Sequence, residues 1–271
     1  MAIRGYTVNC SILFTDLPLL QRPRAARAAG FEAVEFWWPF VSTSPTASEV
    51  DTFVRSVGDA GVTLSGMNFA AGALERGERG LLSNPATAQQ FRDSVEIAVD
   101  IGARLGTTGF NALYGNRTDG LTPPAQDELA TENIAFAAEC AATIGADVLI
   151  EPISGIAGHP ISTLADAAAV VDRVGSESVR ILADLYHLAV NGEDLPAAVD
   201  GYADRIGHVQ IADAPGRGEP GTGGVDLFGT LDLLVECGYS GWVSAEYVAT
   251  RSDTFDWLFA SERGQHHTAG S

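Results

Sequence analysis

Eight short β-type runs alternate with longer helical stretches along the whole chain, and this alternation leaves few folds open. The runs fall at residues 6–10, 33–37, 63–68, 105–111, 148–151, 180–184, 206–211 and 242–246. Between them stands helix punctuation. Thr46-Ala-Ser-Glu49 has the pattern of a capping box ahead of a helix over 50–60, and Gly61 supplies its stop. Asn84-Pro85 is read as opening a helix over 86–101 that ends at Gly102, and Ser162 or Thr163 as opening one over 164–174 that ends at Gly175. Runs such as Asp147-Val-Leu-Ile150 are continuously apolar rather than alternating, as in a parallel sheet covered by helices. Eight such units in 271 residues predict one α/β domain, a closed (β/α)8 barrel over residues 1–260, since barrels of about 250 residues fold as a single unit. The competing arrangement is a doubly wound open sheet, which rarely uses eight evenly spaced units without a second domain. No low-complexity linker divides the chain. Residues 261–271, with His266-His267, lose apolar periodicity and are expected to form a frayed tail.

Charge narrows the partners. Sixteen basic residues against 35 acidic give a net charge of −19, which disfavours nucleic acid and anionic membranes as partners. All 16 basic residues are Arg; with no lysine, Schiff-base chemistry, pyridoxal phosphate attachment and a Walker-type lysine are excluded. Cys10, Cys140 and Cys237 are widely spaced among apolar neighbours and read as small core residues of a reducing compartment. The opening Met-Ala-Ile-Arg-Gly-Tyr lacks the apolar run of a secretory signal, and no window approaches a membrane span, so a cytoplasmic protein is expected.

In such a barrel the chemistry sits at the C-terminal ends of the strands. Glu151, Asp184, Gln210 and Glu246 terminate or lie in the last four runs at spacings of 33, 26 and 36 residues, so successive strands deliver one oxygen each to a common rim. Three converging carboxylates would repel one another unless a cation lay among them, and oxygen ligands without cysteine favour Mg²⁺ or Mn²⁺. The plainer reading is that each acid caps a helix or pairs with an Arg. His187, three residues beyond Asp184, can reach a substrate oxygen beside the metal. His208 lies two residues before Gln210 and shares its face; it is either a barrel-interior residue or a direct contact. The loop 213–221 contains a literal G-x-G-x-x-G at Gly216, Gly218 and Gly221, but Pro220 and its late position exclude a dinucleotide fold. A glycine-rich loop presenting Arg217 to an anionic substrate fits better.

Taken together, Leu149-Ile-Glu-Pro152, Ala183-Asp-Leu-Tyr-His187, Gly207-His-Val-Gln-Ile-Ala-Asp213, Gly216-Arg-Gly-Glu-Pro-Gly-Thr-Gly223 and Gly238-Tyr-Ser-Gly-Trp-Val-Ser-Ala-Glu-Tyr247 resemble the hydroxypyruvate isomerase family of xylose-isomerase-like TIM barrels. Gly30-Phe-Glu-Ala-Val-Glu-Phe36, Asn68-Phe-Ala-Ala-Gly72 and Glu75-Arg-Gly-Glu-Arg-Gly80 agree. The resemblance implies that Glu151, Asp184, Gln210 and Glu246 bind a divalent metal, with Glu151 and Glu246 as proton donor and acceptor. It further implies that His187, Arg217, Asn68 and His208 contact a small hydroxy-oxo acid, and that hydroxypyruvate and tartronate semialdehyde interconvert through an enediolate without a redox cofactor. Val248, Ala249, Gly224 and the loop Ser154-Gly-Ile-Ala-Gly158 depart from the family pattern. These positions bear on substrate choice, which keeps 2-oxo-tetronate isomerase and ketose 3-epimerase as alternatives. A non-catalytic binding barrel is the alternative from another class, and both relay glutamates argue against it. An endonuclease-IV-like phosphoesterase would need a His-rich cluster and a basic surface that the chain lacks. The sequence leaves open whether the chain forms a homo-oligomer.

Overall fold

A computed structural model describes residues 2–258. Its strands are β1 (Gly5–Asn9), β2 (Ala33–Phe36), β3 (Thr63–Asn68), β4 (Gly109–Asn111), β5 (Asp147–Ile150), β6 (Val179–Asp184), β7 (Ile206–Ile211) and β8 (Trp242–Ala245). Each pairs in parallel with the next, and β8 returns to β1 with Tyr6 opposite Val243, so the sheet closes into the single eight-stranded barrel that the alternation predicts. Helices α1 (Arg22–Ala28), α2 (Ala47–Ala60), α3 (Ala88–Leu105), α4 (Pro123–Ala142) and α5 (Leu164–Val174) follow the first five strands. The short α6 (Leu185–Val190) and α7 (Leu195–Tyr202) follow β6, and α8 (Leu227–Glu236) follows β7. The tail, including His266-His267, lies outside the described residues.

Local chemistry sets several boundaries. Thr46 caps α2 in a reciprocal box with Glu49, and Gly61 ends it at φ 68°. Thr163 and Asp166 do the same for α5, which stops at Gly175. The third helix differs from expectation. It starts after Thr87, runs through Gly102 and stops at Gly106, so β4 begins at Gly109 rather than at Leu105. Gly102 is a contact and not a stop: a Cβ there would lie 2.5 Å from Phe110 Cζ, so its missing side chain lets α3 sit close on β4.

The strands are buried on both faces. Outward-facing Phe36 packs edge-on against Phe53 of α2 at 5.2 Å, and Phe110 stacks on Phe69 at 5.2 Å. Inward positions are polar: Thr7 and Ser65 hydroxyls lie 2.8 Å apart, and Glu35, His208, Gln210 and Ser244 are all buried. Cys10 is buried and Cys140 half-buried, whereas Cys237, expected in the core, is exposed beyond the end of α8; all three are free thiols. Among the described residues no helix is long and apolar enough to cross a membrane.

Candidate active site

The C-terminal mouth of the barrel opens into a cavity of about 790 Å³. Glu151, Glu246, His187, Arg217 and Asn68 all line it. Glu151 and Glu246 each stand one residue beyond their strand, where the chain has left the ladder and the side chain can lean over the barrel axis. Asp184 ends β6, and its carboxylate caps α6 by accepting from Tyr186 N at 2.9 Å. That short helix places His187 one turn on, with its Nε2 3.5 Å from Asp184 Oδ2 and 3.9 Å from Glu151 Oε1. The Ser154 amide and hydroxyl lie 3.1 and 2.7 Å from His187 Nδ1, which leaves Nε2 as the ring atom facing the site.

Arg217 reaches the same point from the loop after β7. Its Nη2 bridges Asp184 Oδ2 at 3.2 Å and Glu246 Oε1 at 3.5 Å, its Nη1 lies 3.2 Å from His187 Nε2, and its Nε donates to the Glu246 carbonyl at 3.1 Å. The residue holds a left-handed φ of 54°, a costly conformation for a side chain of this size. The loop is built to hold it. Asp213 accepts from the amides of Ala214, Gly221 and Val225, and Glu219 accepts from Thr250 and Thr254, tying the loop to the segment after β8.

Two of the candidates lie below this surface. His208 and Gln210 share the inward face of β7, as a period of two requires, and both meet Glu35 of β2. His208 Nε2 is 3.0 Å from Glu35 Oε1, so it stands as a barrel-interior residue outside the cavity lining. Gln210 Nε2 lies 3.3 and 3.4 Å from the two Glu35 oxygens. A carboxylate only accepts, so the amide nitrogen must face it, and Gln210 Oε1 is left buried without a hydrogen-bond partner. Gly66 makes room for this arrangement, since a Cβ there would lie 2.8 Å from Glu35 Oε1. Glu35 is not among the site residues that the sequence points to, and neither are Asn111 and Trp37. Asn111 Nδ2 donates to Glu151 Oε2 at 2.6 Å and Trp37 Nε1 to Glu246 Oε1 at 2.7 Å. The sole sequence signal was the acid inside the apolar run 33–36.

Electrostatics separate the acids by their surroundings. Burial, then repulsion from Asp184, pushes Glu151 up to about 8. Burial likewise drives Glu246 well above the usual carboxylate range, with Arg217 pulling it down and Asp184 and Glu151 pushing it up. Burial would also raise Glu35, but the charge of His208 and hydrogen bonds from His208, Ser244 and Gln210 outweigh it and hold Glu35 low. Burial lowers His187.

The donors suit a hard divalent cation. Glu151, Asp184 and His187 each offer one atom, all within 4.8 Å of one another. Glu246 Oε2 and Gln210 Oε1 are buried without hydrogen-bond partners. Three carboxylates balanced by one guanidinium leave negative charge that such an ion would neutralise. The cluster differs from the sequence set by including His187.

Comparison with known proteins agrees with this fold. The sequence model of the xylose isomerase-like TIM barrel family matches residues 23–266. A Streptomyces coelicolor protein named "Putative hydroxypyruvate isomerase" is 49% identical over 97% of this chain and 98% of its own. The Escherichia coli hydroxypyruvate isomerase is 31% identical over 89% of this chain and 92% of its own. A Brucella melitensis crystal structure described as an AP endonuclease of family 2 superposes with a TM-score of 0.85 at 31% identity, covering 95% of this chain and 98% of the other. The chain belongs to the xylose isomerase-like TIM barrels and, within them, is an isomerase of the hydroxypyruvate isomerase family.

Proposed function

We propose that this isomerase interconverts hydroxypyruvate and tartronate semialdehyde by proton transfer between Glu151 and Glu246. The observation that carries the reading is the pair itself: two buried carboxyls, both raised above the usual carboxylate range by burial, line one cavity from different sides. A carboxyl raised as Glu151 is, to about 8, can both take and return a proton near neutral pH. One glutamate removes a proton from C3 and the electron pair shifts to give an enediolate; the hydroxyl proton passes from O3 to O2, and the other glutamate delivers a proton to C2 as the carbonyl forms at C3. Asn111 and Trp37 each occupy one oxygen of a relay glutamate, so the other oxygen is directed to the substrate. His187 Nε2 holds a substrate oxygen, and Asn68 lines the wall beside it. A divalent cation, Mg²⁺ or Mn²⁺, held by Glu151 and Asp184 and completed by Gln210 and Glu246, would polarise the substrate oxygens and balance the developing negative charge.

A second reading, 2-oxo-tetronate isomerisation, uses the same two glutamates, and a cavity of about 790 Å³ has room for the fourth carbon. DNA is disfavoured as a substrate by the net charge of −19. The free thiols suit a reducing compartment such as the cytoplasm.

The test is proton NMR in deuterated water with hydroxypyruvate, 2-oxo-tetronate, dihydroxyacetone and D-fructose. Hydroxypyruvate is expected to show the highest kcat/KM, with deuterium entering at the carbon that gains the proton. Exclusive turnover of the four-carbon acid would transfer the assignment to the second reading, and no turnover of either acid would end both.

A further inference from the structure

Two arginines line the cavity, Arg217 and Arg79, and their circumstances differ. Arg217 is engaged by Asp184, Glu246 and His187, so its charge is largely spent on the protein's own carboxylates. Arg79 belongs to the Glu75-Arg-Gly-Glu-Arg-Gly80 run, in the loop after β3. Its Nη1 donates to the carbonyls of Leu74 and Glu78 at 2.8 and 2.7 Å. Among the described residues no carboxylate pairs with it, and its side-chain hydrogen bonds are those two from Nη1.

The loop is constructed to hold that side chain in place. The Arg79 carbonyl accepts from Gly115 N at 2.8 Å, Gly80 N donates to the Ala71 carbonyl at 3.0 Å, and Asn116 Nδ2 donates to the Gly77 carbonyl at 2.8 Å. Glu78 turns its carboxylate back onto Ala73 N at 2.6 Å. Gly80 has φ 123°, and a Cβ there would collide with the Leu113 carbonyl, so the loop lies directly on the 113–115 segment. A half-buried guanidinium fixed by its backbone is thus turned to the cavity with donors to spare.

We propose that Arg79 is the anchor for the substrate's carboxylate and so selects acids over neutral sugars of the same length. This rests on the reading of the enzyme as an isomerase of small hydroxy-oxo acids. In the closed strand order β3 and β7 are four strands apart, so the loops that carry Arg79 and Arg217 leave the barrel on opposite sides of the mouth. The floor between them carries Glu151 and Glu246, the proton-relay pair, so the carbons that exchange protons have to lie against it. A bound acid therefore turns its reacting hydroxy-oxo carbons to the floor and its carboxylate to the Arg79 wall, where a planar guanidinium can take two oxygens. Glu75 also lines the rim, but it is exposed and water screens it.

The experiment compares the parent with Arg79→Gln, Arg79→Lys and, as a control for net charge, Arg76→Gln, which changes an exposed neighbour. The probe for binding is D-glycerate, read by calorimetry on the metal-loaded protein with glycerol as the neutral counterpart; turnover is read with hydroxypyruvate and dihydroxyacetone. Arg79→Gln should raise the Kd for D-glycerate and the KM for hydroxypyruvate at least tenfold, about 1.4 kcal/mol. Its kcat should stay within about threefold, and dihydroxyacetone kinetics should be unchanged. Arg79→Lys should recover part of the loss and Arg76→Gln should show none. If Arg79→Gln lowers the melting temperature, Arg79→Lys decides. Unchanged D-glycerate affinity, or equal loss for the acid and the neutral ketose, would overturn the proposal, the latter by showing that Arg79 merely shapes its loop. If the parent fails to isomerise hydroxypyruvate while Arg79→Gln still loses D-glycerate, the substrate assignment falls and the anchor stands.

Discussion

The two halves of the barrel are built from the same βα unit but divide the chemistry unequally. β5 to β8 carry the acids, Glu151, Asp184 and Glu246, with Gln210 and the Arg217 loop. β1 to β4 contribute donors instead: Trp37 to Glu246, Asn111 to Glu151, and Asn68 on the wall. Glu35 is the exception, an acid from the first half whose work is to turn Gln210. The difference shows how one scaffold sets two kinds of acid. Glu151 and Glu246 receive few donors and stay high, while Glu35, beside His208, is held low. Environment and not residue type assigns the roles.

The largest effect is expected in the second half. Glu151→Gln or Glu246→Gln keeps size and one ligand oxygen but removes proton transfer, so kcat should fall by about 10²–10⁴. Metal content has to be measured on the same samples. A metal-replete variant at near the parental rate would show that residue to be a ligand alone, and the proposed division between the halves would fail.

A smaller effect tests the first half's orienting role. Glu35→Gln leaves Gln210 free to flip its amide, because the new neighbour offers both a donor and an acceptor. Affinity for Mn²⁺, titrated by calorimetry, should fall roughly 10- to 100-fold, the usual cost of losing a partner behind a ligand. Unchanged affinity would mean that Gln210 Oε1 plays no part in holding the ion.

The smallest effect concerns stability. Glu219 is held at about 2: burial opposes its charge, but hydrogen bonds from Thr250 and Thr254 outweigh burial. Its pKa is lower folded than unfolded, so its stabilisation is complete above about pH 4.5 and is lost as pH falls towards 2. Glu219→Gln should cost about 2 kcal/mol at neutral pH, a fall in Tm of roughly 4–8 °C. That difference should shrink between pH 4.5 and 2. A gap that stays constant with pH would show that the carboxylate charge is not what holds the two loops together.

The sequence by itself determined the barrel, because strand and helix signals are local: Thr46 with Glu49, and Thr163 with Asp166, cap their helices through residues three apart. It also placed polar residues at the strand ends, since a polar side chain closing an apolar run has only the mouth to occupy. It misplaced the end of α3, because a glycine serving close packing and one serving as a stop look alike in sequence. What only the tertiary structure decided is which side chains meet. Trp37 reaches Glu246 across 209 residues and Glu35 reaches Gln210 across 175. No periodicity encodes such pairs; they exist because closing the sheet sets β2 and β7 facing one interior. The same closure decided that Arg217 is spent on the protein's own acids and that Arg79 is not, since a guanidinium's partners are set by which strands end beside it.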